Sequence, residues 1–459
     1  MIVNQIKQLA RDPGFLRRTA AIAIPIALQA LLNNVLNFVD TLMIGTLGEQ
    51  EIAAVGLANK VFFVFSLLIF GICSGSGVLA SQYWGKREIS GIRRVQGLSL
   101  LLAFGASVLF LLPSLLVPEF VMSIFTNSPQ TIEIGAKYLR LAALSYPLTA
   151  ISNVYTAGLR SVNQVQIPVV ISLVSIVVNV FANYVLIFGH FGLPALGVEG
   201  AALGTLIARV VECAAMLLIV YARRGPIAAG IKEMLAFGKG FGKQYFRVVT
   251  PVILNEFMWG LGVTLYSLVY GRMSDQAVAA ITVAQNIEQI LQVVFMGLSN
   301  AAAIILGNEM GAGHLKDAKR HAGNFIFLSF VLSAVIMLLG ALVRYPVIGL
   351  FNVSADVADS INLCLLIFIG YLPFKVFNLI NIVGILRSGG DTKAALFLDG
   401  TGVWGIGLPM AVLGGMIWKQ PIHIVYAMVL SEEFYKCILG TIRYKKGRWV
   451  RNLVAGDLG

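Results

Sequence analysis

Residues 97–117 read GLSLLLAFGASVLFLLPSLLV, 21 residues without one charged side chain. A hydrocarbon layer about 30 Å thick is crossed by about 20 such residues in a helix. A barrel strand would alternate polar and apolar residues over about ten positions, and this run is continuous. It therefore reads as a transmembrane helix, and similar runs recur along the 459 residues. Apolar residues make up 58% of the chain and charged residues 12%, about half the charged share of a soluble domain. Mean hydropathy is +0.84. This composition excludes a disordered chain, a secreted disulfide scaffold and an ordinary cytosolic enzyme. It points to an all-α integral membrane protein of many spans.

Loop signals divide the apolar runs into twelve spans. Six fall at roughly 18–44, 52–81, 96–117, 132–157, 166–189 and 197–222, and six at roughly 246–271, 278–306, 322–343, 358–385, 394–417 and 421–442. The expected organisation is an N-lobe (1–222), a cytoplasmic linker (223–245), a C-lobe (246–444) and a cytoplasmic tail (445–459). The first apolar run is too long for a signal-peptide core and lacks a clear cleavage site. Orientation follows from Lys and Arg. One side holds Lys7, Arg11, Arg17, Arg18, Lys86, Arg87, Arg93, Arg94, Arg160, the linker cations, Lys316, Lys319, Arg320, Arg387, Lys393 and five cations from Arg443 onward, 25 of 34 in all. The opposite loops hold Arg272, Arg344 and Lys419. The asymmetry predicts both termini of this multi-pass membrane protein in the cytoplasm.

The net charge of +12 is thus loop charge. No basic patch with interleaved aromatics suggests nucleic acid. Cys73, Cys213, Cys364 and Cys437 are scattered and have no metal spacing, and His190, His314, His321 and His423 form no ligand cluster. There is no G-x-x-x-x-G-K-[ST] loop and no H-E-x-x-H. The reading is of a non-enzyme without a cofactor, driven by an ion gradient or by the substrate's own gradient.

One offset aligns the two halves. Shifting by 226 residues sets Pro25 on Pro251, Gly45 on Gly271, Gly71 on Gly297, Gly85 on Gly311, Gly97 on Gly323, Pro147 on Pro373 and Gly158 on Gly384, with no gap between residues 25 and 158. Six spans separate the copies, so they share one topology. They should relate by a pseudo-two-fold along the membrane normal. Two six-helix bundles with a cleft between them are the architecture of an alternating-access transporter.

Ionisable groups at membrane depth are costly and mark function by default. In the first span Gln29, Asn33, Asn37 and Asp40 form a stripe, and Pro25 one turn earlier is a candidate hinge. A desolvated Asp40 could take up a proton near neutral pH or hold sodium with amide oxygens. Its position near the helix end also allows a capping role. Asn153, Asn179, Asn183 and Thr205 are further candidates in the same half. In the other half Asn255 and Glu256 share span seven, and Gln285, Glu288, Gln289 and Gln292 line span eight. Lys375, Asn378 and Asn381 line span ten, and Asp399 and Trp404 lie in span eleven. Asp40, Glu256 and Asp399 are the candidate ion-coupling acids. The remaining residues are candidate lining groups, and Lys375 is a plausible partner for an acid. Tyr266 falls opposite Asp40 in the repeat, so the acidic sites are not symmetric. Arg209 with Glu212, and Glu432 with Lys436, read as local helical pairs. An apolar cleft with a few acids suits bulky cationic, amphipathic compounds.

The chain resembles the MATE (multidrug and toxic compound extrusion) family, bacterial type. The resemblance rests on Phe38-Val39-Asp40-Thr41-Leu42-Met43-Ile44-Gly45, Ala53-Ala54-Val55-Gly56-Leu57-Ala58, Gln82-Tyr83-Trp84-Gly85, Pro194-Ala195-Leu196-Gly197-Val198-Glu199-Gly200-Ala201-Ala202 and Gly307-Asn308-Glu309-Met310-Gly311-Ala312-Gly313. Its strongest segment is Gly384-Ile385-Leu386-Arg387-Ser388-Gly389-Gly390-Asp391-Thr392. It runs from about residue 18 to 444. It implies twelve helices in two lobes and antiport of drugs against H+ or Na+, with Asp40 as the first-lobe coupling acid and Glu256 as its second-lobe counterpart. Sodium is then implied at Asp40 or Glu256. Asn183 replaces an Asp found in one branch, which removes a charge from the first-lobe site. The expected partners are small organic cations and the lipid bilayer, and a monomer is expected. A lipid-linked oligosaccharide flippase or a specific metabolite exporter of the same superfamily is the alternative. The flippase would favour a more cationic cleft.

Overall fold

The computed structural model describes residues 12–236, 238–349 and 353–456. Lys7 and Arg11, counted above among the cations, lie outside the described residues. The described residues form helices and the turns that join them, because a helix satisfies every backbone N–H and C=O where no water is available. The first half comprises α1 (Pro13–Gly45), α2 (Glu49–Gly85), α3 (Ile89–Leu116), the short α4 (Pro118–Ser123), α5 (Pro129–Ala143), α6 (Tyr146–Ser161), α7 (Gln166–Phe188) and α8 (Gly197–Arg223). After the short α9 (Ile231–Met234) come α10 (Lys239–Gly271), α11 (Asp275–Gly311), α12 (Leu315–Ile348), α13 (Ala355–Leu379), α14 (Thr392–Gly402), α15 (Leu408–Val412) and α16 (Ile422–Lys445).

Ten helical stretches among the described residues are long and apolar enough to cross a membrane. Two further stretches complete the expected twelve, and each falls short for a physical reason. The span expected at 132–157 is two helices, α5 and α6, interrupted at Leu144 and Ser145. Pro147 stands in the first turn of α6, where its missing N–H costs nothing. The other is α16, which carries Glu432, Glu433 and Lys436 in mid-helix, all three buried. α1 stays helical through Pro25, and α10 through Pro251.

The chain forms two compact units, residues 28–253 and residues 12–27 with 254–456. The first is built around apolar clusters that include Phe65, Ile69, Tyr146 and Val154, and Val55, Met122, Leu139 and Ala202. The linker helix α9 belongs to it and is fastened to α3 by an ion pair between Arg93 and Glu233. Repeat-matched glycines mark one close crossing in each unit. A Cβ at Gly71 would stand 2.8 Å from the Ile253 Cα, and one at Gly297 would stand 2.4 Å from the Ala23 carbonyl oxygen. α2 thus packs backbone to backbone on the start of α10, and α11 does the same on the start of α1.

The repeat acquires one extra residue after Gly384. Gly158-Leu159-Arg160-Ser161 corresponds to Gly384-Ile385-Leu386-Arg387-Ser388. The extra residue is taken up by a π turn over Ile380–Leu386, in which the Arg387 N–H bonds the Ile382 carbonyl. A π turn is the helical form of a single insertion, and such turns cluster at functional sites.

The same motif seats the chain's end. Asp391 accepts two hydrogen bonds from Arg443, at 2.6 and 2.7 Å. Trp449 is buried and stacks on Tyr444. A Cβ at Gly389 would lie 1.4 Å from the Trp449 carbonyl oxygen. Gly389→Ala is therefore expected to lift residues 446–456 off their seat, at a cost of about 1–3 kcal/mol. Trypsin should then cleave after Arg448 and Arg451 faster than in wild type. Unchanged cleavage would show that the tail is not held there.

Candidate functional site

In the first unit the sequence-predicted polar groups converge on Asp40. The Asn183 Nδ2 donates to Asp40 Oδ1 at 2.8 Å and lies 3.2 Å from Asn179 Oδ1. The Asn179 Nδ2 in turn reaches Thr205 Oγ1 at 3.5 Å. α1, α7 and α8 thus contribute one chain of polar atoms. Spacing explains it: Asn179 and Asn183 lie one helical turn apart on a single face of α7. Asn183 and Asn179 are buried and Asp40 is half-buried. The Asn183 Oδ1 is buried without a hydrogen-bond partner. Among the described residues no cation lies within ion-pair distance of Asp40. The site is a carboxylate that accepts an amide N–H and has no cation beside it among the described residues, a group suited to a small cation or a proton.

Not all of the predicted stripe joins this chain. Asn33 and Asn37 are exposed and are not hydrogen-bonded to Asp40. Asn153 is exposed and donates to the Thr149 carbonyl of its own helix at 2.9 Å. Gln29 is buried and belongs to a different contact. It accepts from Arg160 Nη2 at 2.6 Å and donates to Ser172 Oγ at 2.6 Å.

The other unit is organised differently, since its acids face cations. Glu256 pairs with Arg387 at 2.8 Å, and both are buried. Arg387, counted above among the cations of the cytoplasmic side, lies in the connection between the π turn and α14, and its side chain is buried against α10 rather than exposed. Asn255 Nδ2 donates to Asp399 Oδ2 at 2.9 Å, and Asp399 lies 3.8 Å from Lys436 Nζ. Lys436 also pairs with Glu432 at 3.1 Å, and Glu432 accepts from the Tyr266 hydroxyl at 2.8 Å. Glu288 sits 3.5 Å from Lys375 and accepts a hydrogen bond from the Tyr426 hydroxyl. Asn378 Nδ2 donates to the Glu433 carboxylate at 2.7 Å. Asn381 is fully buried and neither amide atom has a partner. Gln285 is half-buried, and Trp404 Nε1 donates to the Met258 carbonyl at 3.1 Å.

Sequence reasoning found Glu256, Glu288, Lys375 and Asp399 but missed Arg387, Lys436, Tyr266 and Glu433 as the partners set beside the polar groups of this unit. Lys436 with Glu432 is the local pair expected, and it also faces Asp399 from another helix. Arg209 pairs with Glu212 as expected. Among the described residues no group of three or more His, Cys, Asp or Glu side chains is arranged to hold a metal ion.

The MatE family model matches residues 25–185 and 251–413. The uncharacterized transporter YisQ of Bacillus subtilis is 25% identical over 438 residues, 94% of each chain. The probable multidrug resistance protein NorM of Thermotoga maritima is 23% identical over 457 residues, 94% of this chain and 93% of that one. Among solved structures, an outward-facing multidrug resistance MATE family transporter of the MOP superfamily superposes with a TM-score of 0.84 at 18% identity, covering 94% of this chain and 96% of that one.

Proposed function

This chain belongs to the MatE family, and on that premise we propose that it is a secondary antiporter of the bacterial inner membrane. It exports bulky cationic or amphipathic compounds in exchange for H+ or Na+ and works as a monomer. The observation that carries this reading is the state of Asp40. It is an intramembrane carboxylate held by the Asn183 amide and by no cation. Such a group can be filled by a proton, by Na+ with the Asn183 oxygen as a second ligand, or by the cation of a substrate, each in turn. Competition for one carboxylate gives ion and cargo a reason to favour different access states. Glu256 already has Arg387 beside it, and Asp399 shares Lys436 with Glu432, so they form the second, cation-paired part of the machinery. Pro25 lets α1 bend, because the proline removes one helical hydrogen bond. The relatives named as multidrug resistance proteins support the cargo class.

The test is ethidium efflux from proteoliposomes under an imposed pH gradient or an imposed Na+ gradient. Acceleration by one gradient supports antiport and names the ion. Efflux indifferent to both, from folded protein, would overturn the reading.

A further inference from the structure

The two halves of the repeat fasten the opening turns of their leading helices by different chemistry. In the first unit the start of α10 is held by a ring of hydroxyls. The Tyr245 hydroxyl lies 2.9 Å from Ser76 Oγ and 3.0 Å from Ser99 Oγ, and the two serines are 2.7 Å apart. Phe241 packs against Tyr83 on the same helix pair. The 226-residue offset sets Ala302, Phe325 and Thr19 on Ser76, Ser99 and Tyr245, so the ring has no counterpart at the start of α1. The same offset sets Phe15 on Phe241, Glu309 on Tyr83, His321 on Val95 and Asp12 on Gly238. The start of α1 is accordingly held by ionisable groups.

His321 is buried, and the Phe15 ring stacks on it with 4.7 Å between centroids. Its Nδ1 lies 2.6 Å from Glu309 Oε1, at the end of α11. Its Nε2 lies 3.2 Å from Asp12 Oδ2 and 3.3 Å from Arg320 Nη2. The other Asp12 oxygen caps α1, accepting from the Phe15 N–H at 2.9 Å. Arg320 also pairs with Asp317, at 3.2 Å. Of the remaining charges on these elements among the described residues, Arg17 and Arg18 of α1 are exposed and Lys319 of α12 lies beside Gly447.

Nε2 thus stands between one acceptor and one donor at nearly equal distances. A neutral imidazole has one N–H and an imidazolium has two. The contact with the Glu309 carboxylate takes the first. A second proton makes Nε2 a donor, which bonds Asp12 and leaves Arg320 to Asp317. Without that proton Nε2 can only accept, so it bonds Arg320 and turns a lone pair toward the Asp12 carboxylate. We propose that His321 is a proton-operated clip on the start of α1, closed on Asp12 in the imidazolium form and open in the neutral form. The pH at the face where α1 begins then sets how firmly its opening turns are held, within the range where histidine ordinarily changes charge, about pH 5 to 8. This control is distinct from the ion exchange at Asp40, since Asp12 precedes Pro25 on α1 and Asp40 follows it. It does not depend on the nature of the cargo.

The test is hydrogen–deuterium exchange of the full-length protein in detergent, read by mass spectrometry at about pH 6 and about pH 9, on either side of the usual imidazole range. Rates are divided by the intrinsic exchange rate at each pH. Residues 239–250, at the start of α10, are the internal reference because hydroxyls hold them. In wild type the protection of residues 13–24 should fall about tenfold from the lower to the higher pH, the value of one charge-assisted hydrogen bond, while that of 239–250 holds steady. His321→Gln keeps an amide donor for Glu309 and cannot titrate, so its protection over 13–24 should be low and equal at both pH values. Asp12→Asn should also flatten the profile, since an amide accepts from the protonated ring and donates to the neutral one. It decides alone if His321→Gln fails to fold. Equal falls in both segments, no fall in either, or a fall that survives the substitutions would overturn the clip. None of these outcomes touches the export reading, which the gradient experiment decides.

Discussion

Asp40→Asn is expected to reduce gradient-driven ethidium efflux to the rate of protein-free liposomes while leaving the fold intact. The substitution keeps the size of the side chain and its contact with Asn183. It removes the charge on which proton, Na+ and organic cation all depend. Because no cation pairs with Asp40 among the described residues, the change strands no partner. The usual penalty for breaking a buried pair, about 3–5 kcal/mol, therefore does not apply. Thermal unfolding in detergent should match wild type, and ethidium affinity should fall about tenfold or more, the value of one charge-assisted contact. A variant that still couples efflux to a gradient would move coupling to Glu256 or Asp399.

The second large effect is expected at Glu256, with the opposite signature. Glu256→Gln leaves the Arg387 guanidinium buried opposite a neutral amide. Removing one member of a buried pair costs about 3–5 kcal/mol, so the variant should express poorly and unfold several degrees below wild type. Replacing both members, Glu256→Gln with Arg387→Met, removes the stranded charge and should restore most of the stability. A Glu256→Gln protein as stable as wild type but unable to couple efflux would instead make Glu256 an ion-exchanging group.

The architecture was legible because the physics behind it is coarse. Long uncharged runs can only be spans, and matched glycines and prolines in one register can only be a repeat. The Asp40 neighbourhood was legible in part. Asn179 and Asn183 share a helical face, but whether α1 brings Asp40 or Asn33 to that face is decided by packing between helices. Asp40 arrives and Asn33 does not. Arg387 was misread because a cation at the end of an apolar run looks the same whether it turns outward to lipid headgroups or inward to an acid. The readable signal was the one-residue slip between Gly158-Leu159-Arg160 and Gly384-Ile385-Leu386-Arg387. Lys436 was hidden by a correct local observation, since a lysine four residues after Glu432 satisfies the helical-pair rule before any other helix is considered. The break at Leu144 and Ser145 had its signal in Pro147.

The division of α1 bears on how far either half of the chain could fold alone. Residues 12–27 cluster with 254–456, whereas 28–253 keep the start of α10. Each half of the repeat thus lends its opening turns to the compact body formed mainly by the other, and the glycines at 71 and 297 are the sockets that receive them. A cut between α8 and α10 would part each body from the turns that complete it, so neither piece is a self-sufficient folding unit.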